Sequence, residues 1–208
     1  RECPGLHGLA GNASGKLYGC ADGALFVSAS GTAASFQKFT RTDDPRFGVG
    51  TVWARDGQPN FLVRMSRRGQ PVSTATRSMG VTQLSSRSLL PIALPAGEID
   101  WTADIDYSGR FALILARSGT LYSVDLATRQ VVGQLTNLVP PMPTAGTILT
   151  PFMAFAEGAA FLTSPTQGRV LEIGLTNGVP TVARTLAVGG TPERIVVLGP
   201  LTNRTLRR

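Results

Sequence analysis

Short apolar runs, each closed by a glycine-bearing turn, recur along this chain in a fixed order. Gly15-Lys16-Leu17-Tyr18 is followed by Asp22-Gly23-Ala24-Leu25-Phe26-Val27, and Gly109-Arg110-Phe111-Ala112-Leu113 by Ser118-Gly119-Thr120-Leu121-Tyr122. A third copy runs from Gly158 through Phe161-Leu162-Thr163 to Gly168-Arg169-Val170-Leu171. Each copy reads as a turn, a strand, a second turn and a strand rich in β-branched or aromatic residues. Gly15 and Gly109 lie 94 residues apart, twice 47, and Gly158 follows Gly109 by 49. A further unit is therefore expected near residue 62, where Thr51-Val52-Trp53-Ala54 and Phe61-Leu62-Val63-Arg64-Met65 flank the turn Arg55-Asp56-Gly57-Gln58-Pro59.

The later units continue through Ala127-Thr128-Arg129-Gln130 into Val131–Leu135, and through Thr176-Asn177-Gly178 into Val182–Leu186. Four-stranded units repeating every 40 to 50 residues or so predict an all-β fold, a β-propeller. We expect about four blades of four-stranded antiparallel sheet, at 3–45, 46–90, 97–137 and 148–190. An open β-sandwich would explain short strands and turns but not the period. The first strands of blades are placed at 3–9, 98–105 and 150–155, and 191–200 reads as a surplus first strand of a further blade. That surplus suggests the C-terminal part of a larger propeller, or a half that associates with another chain. The start at Arg1, with no Met, reads as a processed or truncated chain whose export signal has been removed.

Composition agrees with strands and turns. The chain has 208 residues, 42% hydrophobic and 16% charged, with 24 Gly and 14 Pro, a balance unlike that of disordered or long-helical proteins. No apolar stretch approaches the roughly 20 residues of a membrane span, so no membrane insertion is expected. The net charge is +7, but the arginines are scattered; only Arg67-Arg68 and Arg204, Arg207 and Arg208 are locally dense. No basic stripe alternates with stacking aromatics, and no nucleic-acid partner is expected.

Catalysis finds little support. There is one histidine, His7, and no GxSxG elbow. Gly31 and Gly48-Val49-Gly50 read as turn glycines, not as a nucleotide-binding loop. Glu98, Asp100, Asp104 and Asp106 could ligate a metal or a sugar, but Asp106-Tyr107-Ser108-Gly109 is a good turn sequence, and turn chemistry is the preferred reading. Trp53 and Trp101 read as packing residues. Matching Gly15 to Gly109 aligns His7 with Trp101, in a first strand, which in a propeller runs along the central channel. A neutral imidazole there could bind zinc with ligands from other blades, or be a histidine hydrogen-bonded in a packed hairpin. Cys3 and Cys20 lack CxxC spacing and flank a turn at residues 11–15. A hairpin there would bring them together as a structural disulfide, implying an oxidising compartment; two free buried thiols are the alternative.

Cys3-Pro4-Gly5-Leu6-His7-Gly8, with Tyr18-Gly19-Cys20-Ala21-Asp22-Gly23-Ala24-Leu25, resembles the Cys-Pro-x-Leu-His-Gly and Gly-Cys-x-Asp-Gly segments of the AztD family. The resemblance covers residues 3–27. It implies a periplasmic, non-catalytic β-propeller that binds zinc and passes it to the solute-binding protein of a zinc ABC transporter. It further implies a Cys3–Cys20 disulfide and makes His7 a zinc ligand. Leu9 stands where the family pattern has an acidic residue, and this chain holds no second histidine, so the other ligands are expected from outside it. The alternative function is a protein-interaction or scaffold propeller without metal.

Overall fold

The computed structural model describes residues 2–143 and 149–197. The first sheet comprises β1 His7–Asn12, β2 Gly15–Cys20, β3 Gly23–Ser30 and β4 Ala33–Phe39. The second comprises β5 Phe47–Trp53, β6 Leu62–Arg67, β7 Arg77–Gln83 and β8 Ser88–Pro91. The third comprises β9 Asp100–Ile105, β10 Phe111–Ala116, β11 Leu121–Asp125 and β12 Gln130–Leu135. The fourth comprises β13 Met153–Ala156, β14 Ala159–Ser164, β15 Arg169–Thr176 and β16 Val179–Ala187. Each sheet is an antiparallel meander of four strands in sequence order, and together they form four blades of a β-propeller.

Side chains on a strand alternate between its two faces, so a blade flanked on both sides must be apolar at successive positions. β10 shows this directly: all six of its residues are buried. Ala112 and Ile114 face a core shared with the second blade, where they meet Leu62, Met79 and Val81. Leu113 and Leu115 face the fourth blade, with Met153, Phe155, Leu162 and Leu171. In the second blade, Leu62 joins the former core, while Val63 and Met65 turn to the first blade and pack with Leu17, Phe26, Phe39 and Phe47. Three apolar cores thus lie between consecutive blades. The outer strand β12 is instead half solvated, alternating exposed and partly buried residues.

Three expectations from the sequence are adjusted. The first strand begins at His7, not Cys3, because Pro4 and Gly5 form a turn in which Gly5 has φ +52°. Gly48 and Gly50 are not turn residues but lie within β5. A Cβ on Gly48 would stand 2.4 Å from the Ala21 carbonyl oxygen, so glycine there permits the first two blades to touch backbone to backbone. Residues 191–197 belong to no strand among the described residues; a strand needs a neighbour to complete its hydrogen bonds, and no described strand pairs with this segment. Arg194 stacks over the Phe152 ring, 4.6 Å from its centroid, beside β13. The rest of the expected surplus strand, 198–200, lies outside the described residues.

Leu113→Ala removes a fully buried side chain and is expected to cost about 2–5 kcal/mol, whereas Leu9→Ala, at a position 54% exposed, should stay within about 0.5 kcal/mol. Urea unfolding of both variants checks this, and similar losses would contradict the two-sided burial of the third blade.

Candidate functional site

His7 opens β1 and pairs with Gly19 of β2, after which the register slips by one residue at Gly8. The same bulge recurs in the next two blades, at Gly50 in β5 and at Trp101 in β9. The ladder therefore makes His7 the counterpart of Val49 and Asp100, and Gly8 the counterpart of Trp101. Matching glycines alone misses this by one position, because Ala13-Ser14 joins β1 to β2 whereas the longer loop 106–110 joins β9 to β10. Gly8 itself has φ +20°, and a Cβ there would meet the Gly50 carbonyl oxygen at 2.7 Å. The bulged backbones of β1 and β5 thus lie against each other, which fixes where the imidazole emerges.

It emerges exposed, at the edge of a cavity of ≈ 200 Å³ that it shares with Cys20, Val49, Ser66 and Arg68. Cys3 and Cys20 form a disulfide with Cα atoms 5.0 Å apart, so the free-thiol alternative does not hold. The Ala21 N–H donates to the Pro4 carbonyl at 2.7 Å and Arg68 Nη2 donates to the Gly5 carbonyl at 2.8 Å, strapping residues 3–6 against the first two blades. A disulfide sulfur is no thiolate, and among the described residues no group of three His, Cys, Asp or Glu side chains could hold a metal. The residues present therefore do not complete a zinc site: His7 is a single donor, and its cavity also holds the Arg68 guanidinium.

The acidic group around β9 separates into four structural roles. Asp106 makes the turn, accepting from Ser108 Oγ at 2.5 Å and the Phe111 N–H at 2.8 Å. Glu98 accepts from Ser118 Oγ at 2.8 Å and Tyr122 Oη at 2.9 Å. Burial pushes the Asp104 carboxyl above its ordinary value, against the Arg55 guanidinium 3.2 Å away. Asp100, 1% exposed, accepts from Arg64 Nε at 2.5 Å and Arg77 Nη2 at 3.0 Å. Burial disfavours its charge, but the Arg64 and Arg77 guanidiniums prevail and hold the carboxyl below its usual value.

Asp100 and Arg77 also border a second cavity, of ≈ 370 Å³, that opens between the second and third blades beside Thr74, Ser78 and Glu98. Nothing in the linear sequence marks the Asp100 ion triad, since its arginines lie in the preceding blade; only the packing of the second blade against the third brings them together. Trp53 and Trp101 pack against inter-blade cores, with Arg64 over the Trp53 ring at 5.4 Å and Arg117 over the Trp101 ring at 5.1 Å.

No protein-family model matches the sequence, and neither does any curated protein. Solved structures do. The chain is similar to apo AztD from Citrobacter koseri, with a TM-score of 0.74 and 20% identity over 91% of this chain and 49% of that one. A second AztD structure from the same organism gives 0.73. Sqt1 from Chaetomium thermophilum gives 0.58 at 14% identity, over 88% of this chain and 48% of that one. At these identities the likeness establishes the fold, and the chain spans about half the length of the structures it matches.

A carboxylate whose folded pKa lies below its unfolded value of about 3.9 adds stability that is complete above that pH and is lost as pH falls through the folded value. Asp100→Asn should therefore cost about 2–5 kcal/mol at neutral pH, since it strands two partly buried guanidiniums, and should flatten the loss of stability below about pH 4. Urea midpoints against pH test this; an unchanged acid limb in the variant would assign it to other groups.

Proposed function

We propose that this chain is a non-catalytic, exported zinc-handling β-propeller of the AztD kind, which passes zinc to the solute-binding protein of a zinc ABC transporter. The observation that carries this reading is a coincidence. A chain similar to AztD in fold over 91% of its length also closes a Cys3–Cys20 disulfide beside His7, in the segment whose sequence resembles that family. A disulfide further suits an oxidising compartment such as the periplasm, and no helix among the described residues is long and apolar enough to cross a membrane.

In this reading His7 supplies one nitrogen ligand, held in place by the Gly8 bulge and open to solvent, and the remaining ligands come from outside the described residues. Zinc is cargo here, and the role of this chain is to present the imidazole at the edge of a rigid ring end, where a partner's ligands can reach it.

A second reading, a protein-interaction propeller without metal, is favoured by one observation: His7 shares its cavity with the Arg68 guanidinium, which disfavours a second cation. Native mass spectrometry of the chain mixed with zinc and the transporter's solute-binding protein separates the two. The zinc reading expects bound zinc to fall at least about tenfold in His7→Ala. Zinc binding that is absent, or that is unchanged in His7→Ala, rejects it in favour of the interaction propeller.

A further inference from the structure

In a four-stranded meander, the turn between the second and third strands lies at the same end of the blade as the connection to the next blade. At that end three arginines stand on three successive blades. Arg68 directly follows β6 and Arg117 directly follows β10, the same position of the repeat, and Arg169 opens β15 across the equivalent turn of the fourth blade. None of the three forms an ion pair among the described residues. Arg68 donates to the Gly5 carbonyl, Arg169 donates to the Leu138 carbonyl at 3.2 Å, and Arg117 stacks on Trp101. The Nε atoms of Arg117 and Arg169 are buried and find no acceptor among the described residues.

Several acids at this end are ion-paired to other bases, and Glu98 accepts from Ser118 and Tyr122. Asp44 is taken by Arg46 and Arg67, Asp22 by Lys38, and Asp100 by Arg64 and Arg77. At the opposite end Arg55 pairs with Asp104 and Arg110 with Asp125, while Lys16, Arg87 and Arg129 form no ion pair among the described residues. The repeat thus leaves an arc of three guanidiniums without an ion pair at this end, one on each of three successive blades, among the described residues.

We propose that this arc docks an acidic peptide segment of a partner protein. Planar N–H forks match carboxylates in pairs, and the spread over three blades suits an extended chain with several of them. A nucleic acid would need open aromatic faces for its bases, but the Trp101 face beside the arc is covered by Arg117. The inference does not depend on zinc, although a segment bound at Arg68 would lie beside His7, because the two residues line one cavity.

The test uses the 208-residue chain and a fluorescein-labelled oligoglutamate of about ten residues, followed by anisotropy between about 50 and about 200 mM salt. Binding should weaken steeply with salt. Arg117→Gln and Arg169→Gln should each raise Kd about three- to tenfold, and the triple variant with Arg68→Gln should abolish binding. The double variant Lys16→Gln with Arg87→Gln, at the opposite end, should leave Kd unchanged, and circular dichroism confirms that each variant is folded. The proposal is overturned if the peptide does not bind, if the opposite-end variant weakens binding as much, or if a single-stranded oligonucleotide binds more tightly than the peptide.

Discussion

Burial of the central strands on both faces is the constraint from which the rest follows. A strand sends alternate side chains to opposite sides, so β10 can be apolar at every position, and β6 at both Leu62 and Val63, only if a neighbouring blade covers each face. Leu62 and Val63 serve different cores, as do Ile114 and Leu115. This shared burial couples each blade to the next and sets their angular order. The loops at either end are then displayed in a fixed sequence along the four blades.

The inner strands must also approach closely, and the chain achieves this by omitting side chains and inserting bulges. Gly48 permits contact with the Ala21 carbonyl, and Gly8 lies against Gly50. One consequence is positional. The bulge after His7 puts the imidazole where the third blade carries Asp100, so one place in the repeat holds an exposed nitrogen donor in one blade and a buried, doubly paired carboxylate in another.

Charge is distributed by the same geometry. Where a carboxylate is buried, arginines from the adjacent blade meet it, as at Asp100, and their combined field outweighs the cost of its burial. Where the repeat presents an arginine on a turn without an acid in reach, the guanidinium rests on a carbonyl or an aromatic ring. Arg117 and Arg169 are of this second kind. The end of the blades that carries them is the end where His7 emerges, which places the candidate metal ligand and the cationic arc at one end of the fold.

The linear sequence determined the architecture. The glycine spacing and the alternation of turns with short apolar strands were enough to read four blades of four strands, because both report local backbone geometry. Local contacts were legible too: the Cys3–Cys20 disulfide closes a single hairpin, and the turn role of Asp106 depends on atoms only a few residues away. Contacts between blades were not legible. Gly48 and Gly50 read as turns because glycine in a linear sequence cannot show whether it turns the chain or clears space for a neighbour. The true counterpart of His7, the arginines that meet Asp100 and the arc at Arg68, Arg117 and Arg169 all depend on ladder register and on which blades are adjacent. Those are properties of the packed blades, where residues dozens of positions apart are brought within a hydrogen bond, and no local pattern encodes them.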